Sequence, residues 1–401
     1  MRFSTLLVLA TVFAAFAPNV TAAQSVIDPN ATVVELRTSC VMPGSTYLDN
    51  CFETAADVTD WLWVDAGLPG GRNSEPNSLD SVTVRVGPGT FDAFECDGNG
   101  MRGFVSVEGA GRDVTRFVTP SPPVFHPIAG ACHGGITSDG CTNLSFRNVT
   151  AEGAAGVLWV GDGDSQWEDV DMTAENPTGA TCLAEAMAWY DALSLGGEHF
   201  FWNTRFRALG KAAFTSAFQT DESDSWIYGS DLLIEMTSDA VVGGATVRSG
   251  SDIGVRIFGS TVRARFAASA PSFSGLVTGL LAESDGVIHM HGGIINVSTS
   301  LSTSGVAVGV QASAGSFVHT PETAFALSGP TIARLLGAGA IQSPFLWPSG
   351  PTPPSIFSQT GSDLFVKTKE GPGQDEARLL VYDNGCSPGP WRRVSNDTCL
   401  C

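Results

Sequence analysis

The chain has 401 residues, with 41 acidic against 21 basic side chains and a formal charge of −20. Neutralising phosphates takes clustered Lys and Arg, and the close basic pairs here, Arg263/Arg265 and Arg392/Arg393, are short, so the composition argues against nucleic acid or an anionic membrane surface as partner. An apolar fraction of 43% is ample for a core, and 46 glycines with few cations suit many short strands joined by turns.

At the N-terminus, Arg2 precedes an uncharged apolar run from Leu6 to Ala17, and Val20-Thr21-Ala22-Ala23 offers small residues for cleavage. Residues 1–23 therefore read as a secretory signal peptide and the mature protein as secreted, extracellular or periplasmic. The run is shorter than the ~20 residues a spanning helix needs, and no later segment is long and apolar enough, so membrane insertion is not expected. All nine Cys lie beyond the signal, where export allows oxidation. Neighbours along the chain suggest Cys40–Cys51, Cys132–Cys141 and a pairing among Cys386, Cys399 and Cys401, with Cys96 and Cys182 left over. The odd count requires a free thiol or an intermolecular bridge. Zinc-finger spacing is missing.

From Glu53 to Ala66, apolar residues fall near helical spacing, and Thr54 or Asp57 is placed to cap the helix. Strand-like alternation follows at Val82–Phe91 and Phe104–Gly111. Further on, one pattern recurs: Phe146-Arg147-Asn148, Trp167-Glu168-Asp169, Phe201-Trp202-Asn203, Ile227-Tyr228-Gly229, Ile257-Phe258-Gly259 and Met290-His291-Gly292. Each triplet has a large apolar residue, one intervening residue, and then Asn, Asp or Gly. Those three types share tolerance of the left-handed backbone, so a tight bend is expected at each third position. A bend followed by a short alternating strand, repeated every two to three dozen residues, describes the coils of a parallel β-solenoid.

Several groups along this repeat could carry chemistry. Asp162, Asp164, Asp169 and Asp171 belong to the densest run of hard oxygen ligands, which suits Ca2+; a solvated turn followed by outward strand residues accounts for them as well. Asp221 to Asp224 reads as a loop. Trp159, Trp167, Trp189, Tyr190, Phe200, Trp202 and Trp226 concentrate aromatic surface between 159 and 226, where rings either fill the core or stack on sugars. Around them, Leu183 to Ala188 is an Ala-rich stretch of helical character. His289 and His291 share one face of a strand, and His319 lies about one coil later. Three imidazoles would suit a transition metal, if the strand phase brings His319 to the same face.

The helix, the strand ending in Gly87-Pro88-Gly89-Thr90-Phe91 and the strand ending in Glu108-Gly109-Ala110-Gly111 resemble the opening coils of the pectin lyase-like right-handed β-helix superfamily, and within it the pectin methylesterases. The likeness covers roughly residues 50–235. In those enzymes a Tyr-Gln-Asp segment carries the acid/base aspartate and a Val-Asp-Phe-Ile-Phe-Gly segment the nucleophile. Trp189-Tyr190-Asp191 followed by Phe200-Phe201-Trp202-Asn203 puts Asp191 on the acid/base position, while Ala212 stands where the nucleophile would be. A methyl group cannot form the covalent intermediate, so the resemblance implies the fold without the methylesterase reaction. The paired aspartates and Gly-His-Gly of polygalacturonases are missing too.

The fold expected is all-β, a right-handed parallel β-helix over 24–342 with an N-terminal capping helix. A Pro-rich linker at 343–355 leads to a small disulfide-containing β module at 356–401. The function expected is engagement of extracellular polysaccharide, with Asp191 as candidate catalytic residue, Trp189, Tyr190, Glu198 and Trp202 as candidate substrate contacts, and no cofactor beyond Ca2+. Two alternatives stay open: a structural or adhesive module that self-associates through its C-terminal region, and a lyase or hydrolase using Asp162, Asp164, Asp191 or Glu198.

Overall fold

The computed structural model describes most of residues 30–342 and, beyond them, the backbone of strands between 346 and 400. Residues 1–29, and with them the expected signal peptide, lie outside the described residues, as do several short connections. The described part is a parallel β-solenoid, as the repeat predicts. Each regular coil contributes three strands, for example Glu185–Ala192, Glu198–Trp202 and Arg205–Gly210, and each strand pairs in parallel with its counterpart one coil later. The first two strands of every coil build two ladders that share long strands near the start and count together as a 19-stranded sheet; the third strands build a nine-stranded sheet. The three ladders are the first, second and third sheets of the solenoid.

The bends between the second and third sheets fall where the repeat puts them. Asn148, Asp169, Asn203, Gly229, Gly259 and Gly292 all have positive φ, between 48° and 67°. In that conformation each bend N–H points along the axis and donates to the coil above, as from Asp169 to the Trp202 carbonyl and from Asn203 to the Tyr228 carbonyl, 3.1 and 3.0 Å. The residue after the bend is small and polar for a related reason. The N–H groups of Thr204 and Ser230 donate to the hydroxyls of Ser230 and Ser260, at 3.1 Å each, so a buried hydroxyl ladder satisfies the turn where the next coil covers it.

Inside the coils, residues in register form columns. On the second sheet, Phe146, Trp167, Phe201, Ile227, Ile257 and Met290 succeed one another in the interior. Phe146 and Trp167 stack at 4.4 Å. The helix Ala55–Trp63 packs Val58 and Leu62 into the first coils and closes that end of the core, protecting an edge that would otherwise pair with another chain. Of its two proposed caps, Thr54 serves: its hydroxyl accepts from the Asp57 N–H at 3.0 Å, and the Asp92 carboxylate takes the N–H groups of Ala55 and Ala56.

Two expectations need correction. Cys141 is bonded to Cys96 and not to Cys132, because the bond is made between neighbouring coils, Cα to Cα 6.3 Å, and not between neighbours in sequence; Cys132 is itself in a disulfide. Cys40–Cys51 forms as expected. The Ala-rich stretch of helical character runs into the strand Glu185–Ala192, since parallel neighbours on both sides override the weak helical preference of alanine. Within the span read as a linker, Leu346–Gly350 is a strand that pairs in parallel with Leu364–Lys367, at the edge of a five-stranded C-terminal sheet.

Candidate functional site

Strand alternation decides which side chains the second sheet shows to solvent. In Glu198–Trp202, His199 and Phe201 point inward, leaving Glu198, Phe200 and Trp202 outside. The same alternation in Asp224–Tyr228, Gly254–Phe258 and Val287–His291 aligns the outer residues into columns along the axis. One column runs Gln166, Phe200, Trp226, Arg256, His289, His319, and beside it runs Glu168, Trp202, Tyr228, Phe258, His291.

The rings in these columns stack nearly parallel. Phe200 and Trp226 are 4.7 Å apart, and the second column is continuous from Trp202 through Tyr228 and Phe258 to His291, at 6.0, 5.0 and 5.4 Å. All of these aromatics are half-buried except His291, which is exposed. Rings stacked at this distance spend much of their faces on one another and meet solvent with their edges, whose partial positive charge suits the oxygens of a sugar chain. Glu198 and Asp224, paired in register, rim the strip. Arg256 binds Asp224 at 2.6 Å and lies over the Trp226 ring at 4.8 Å, which fixes the guanidinium within the strip. Desolvation raises the Tyr228 phenol, the Arg256 charge opposing it, so the phenol remains protonated.

His289, His291 and His319 end the strip on one face, and the phase question raised by the sequence is decided by the pairing of His289 with His319. Burial, followed by the charges of His319, Arg256 and His291, lowers the His289 imidazole; burial and His291 lower His319.

Asp191 and Trp189 point inward, away from this surface. Trp189 is fully buried, 6.0 Å from Trp159 and 6.1 Å from Phe218, and is a core residue and not a sugar platform. Trp159 and Trp167 are core residues too. Asp191 is also fully buried, which withholds it from a polymer substrate. Its Oδ2 accepts from the Thr220 hydroxyl at 3.0 Å and from that of Ser223, and it lies 3.9 Å from His199 Nε2. On the other side of the imidazole, His199 Nδ1 is 2.7 Å from the Ser165 hydroxyl, which accepts from the Trp167 indole N–H at 2.6 Å. The assortment of Ser, His and Asp resembles a nucleophilic triad only in composition. Ser165 and His199 are sealed in the core, the His–Asp separation exceeds hydrogen-bond reach, and desolvation lowers the His199 pKa to about 3. The residue stacked on Asp191 one coil later is Thr220; Ala212 lies outside the described residues.

Of the other expected contacts, Trp202 and Glu198 belong to the strip. Tyr190 lies on the outer face of the first sheet, packed with Leu158, Val160 and Met187, and its hydroxyl donates to Asp221 at 3.4 Å. The acidic residues expected to hold Ca2+ are parcelled out by the coil. Asp164 accepts from the Glu198 N–H at 2.9 Å, Asp169 occupies a bend and accepts from the Asn203 amide, and Asp171 begins the next strand, ion-paired with Arg205 at 3.2 Å. Desolvation raises the Asp171 carboxyl, outweighing Arg205 and Arg112. Asp162 lies outside the described residues. Among the described residues, the group of three with ligand atoms close enough to share a metal ion is His289, His291 and His319.

The sequence carries a signal for the second column. The intervening residue of each triplet, Arg147, Glu168, Trp202, Tyr228, Phe258 and His291, is the outer residue just before the bend. It is an aromatic ring in four consecutive coils, Trp202, Tyr228, Phe258 and the imidazole of His291.

No family model matches the chain. The curated proteins likewise yield no match. Among solved structures the chain is similar to a pectin methylesterase from carrot, 12% identical over 79% of this chain and 89% of that chain, with a TM-score of 0.44. It is also similar to pectin methylesterase PemA from Erwinia chrysanthemi, 12% identical over 70% of this chain and 89% of that one, TM-score 0.34. A third is a pectin methylesterase in complex with hexasaccharide VII, 12% identical over 73% and 80%, TM-score 0.33. Likeness of this depth carries no argument about the chemistry of the chain. The class, a parallel β-helix, rests on its own strand pairing.

Proposed function

We propose that this protein is a secreted β-helix that binds extracellular polysaccharide along the outer face of its second sheet, without methylesterase chemistry. The observation that supports the reading is the double column of half-buried rings from Phe200 and Trp202 to Phe258. Coils repeat at about 4.8 Å, comparable with one pyranose ring, so a glycan lying along the axis meets a new coil at about each sugar unit. The strip is carried on strands and not on loops, so little is lost in ordering it. Glu198 and Asp224 at its rim offer carboxylates to sugar hydroxyls. Ca2+ is not assigned a role in this contact.

A glycan array on the purified protein, with Trp226→Ala and Trp202→Ala variants alongside, tests this. Retention of neutral or acidic polysaccharide that falls at least tenfold in both variants is the expected result. Retention unchanged in both would remove the strip from the site, and no retention would transfer the weight to a structural module.

A further inference from the structure

Three of the six histidines in the chain meet on one outer face at the far end of the strip. His289 and His291 are alternate residues of Val287–His291, and His319 pairs directly with His289 from the strand Phe317–His319. Their ring centroids form a nearly equilateral triangle with sides of 5.6, 5.9 and 6.4 Å, and one ring nitrogen from each lies within 4.8 Å of the other two.

From this geometry we infer a binding site for a divalent transition-metal ion, with His289, His291 and His319 as its three protein ligands. Metal–nitrogen bonds of about 2.0–2.1 Å at tetrahedral angles put ligand nitrogens about 3.4 Å apart. The gap between 4.8 Å and that spacing is left for rotation about the histidine side-chain bonds to close, which the inferred site requires. An all-imidazole set suits Zn2+, Cu2+ or Ni2+ and not Ca2+, whose hard oxygen ligands are missing from this cluster. Three ligands leave the fourth position of a tetrahedral ion open toward solvent, for water or an oxygen of an incoming molecule.

The surroundings favour a built site over a chance meeting of surface side chains. Phe258 stacks under His291 at 5.4 Å with planes 9° apart, and Phe317 stands 5.8 Å from His289, so two rings are braced by aromatic neighbours. All three histidines sit on paired strands, and none belongs to a loop. One feature opposes the ion. Arg256 is in register with His289, and its positive charge repels a dication. That charge is offset by Asp224, to which the guanidinium is tied at 2.6 Å. The inference does not depend on the glycan reading, since the ligand set stands on its own distances.

The test is calorimetric titration of the untagged, chelator-treated protein with ZnCl2, then NiCl2 and CuCl2, followed by thermal melts with and without Zn2+. One ion per chain is expected, with a Zn2+-dependent rise in Tm reversed by EDTA. His291→Ala and His319→Ala should each weaken binding at least tenfold, and His133→Ala, at a distant histidine, should leave it unchanged. His291 is exposed, so its replacement by Ala or by Asn is not expected to disturb folding, and the ion-free melt of each variant checks this. Absence of saturable uptake of any of the three ions would overturn the inference. So would one-to-one binding whose affinity is the same in the folded His291→Ala and His319→Ala proteins.

Discussion

Phe200 and Trp226, one coil apart, lie with ring centroids 4.7 Å apart and planes 12° from parallel, on the outside of the solenoid. One residue further along each strand, Phe201 and Ile227 are completely buried. Neighbouring large side chains of the same strand therefore belong to different parts of the molecule, and substitutions should separate them.

Trp189→Ala removes a fully buried indole that packs between Trp159 and Phe218 and should destabilise the fold by about 3–5 kcal/mol. Trp202→Ala, at the half-buried outer strip, should cost much less stability and carry the loss of glycan retention. Denaturant midpoints and glycan binding measured on the same two preparations check the pair. A Trp189→Ala protein that stays as stable as the parent would contradict the core assignment.

Asp191 is assigned to holding the Thr220 and Ser223 hydroxyls within the core. Asp191→Asn should reduce stability by about 1–3 kcal/mol, because an NH2 donor replaces one carboxyl oxygen in a fully buried site that two hydroxyls already use as an acceptor. Glycan retention per folded molecule should not change. A variant of parental stability that loses a glycan-processing activity would return Asp191 to a catalytic role.

His199 gives a pH dependence whose sign follows from its burial. Its pKa is lowered from 6.5 in the unfolded chain to about 3 in the folded one, so below 6.5 the unfolded state binds the extra proton. Stability attributable to this residue is complete above pH 6.5 and is lost as the pH falls toward 3, at up to about 1.4 kcal/mol per pH unit. Between pH 7 and pH 5 the parent should therefore lose about 2 kcal/mol more than His199→Gln, read from urea midpoints. Equal slopes in the two proteins would mean that His199 is already solvated in the folded state.

The bends offer a test free of side-chain packing. Gly229 and Gly259 have φ near 55°, and an added Cβ at either would meet nothing within 4 Å. Gly259→Ala should cost about 1 kcal/mol from backbone strain alone, and Gly259→Asn less, as Asn203 and Asn148 occupy the same turn. At Gly293 the added Cβ would lie 2.1 Å from the Ser260 carbonyl oxygen, so Gly293→Ala should cost considerably more. Similar Tm losses for the two alanine variants would contradict this account.

The features legible in the chain before it folds are local in origin. The left-handed bend is a demand of one residue on its own backbone, so Asn, Asp and Gly in fixed phase reveal it at Asn148, Asp169, Asn203, Gly229, Gly259 and Gly292, and the repeat of the solenoid follows from it. The cap at Thr54 and the short Cys40–Cys51 bridge were legible for the same reason. The face to which a strand residue points depends on register against the next coil, and a slip of one residue reverses it. It took the folded chain to settle that Trp189 and Asp191 face inward while Trp202 faces outward, that Cys141 meets Cys96, that the acidic run is divided among a connection, a bend and a strand, and that His319 arrives beside His289. Each of these is a contact between residues far apart along the chain, fixed by stacking one coil upon another.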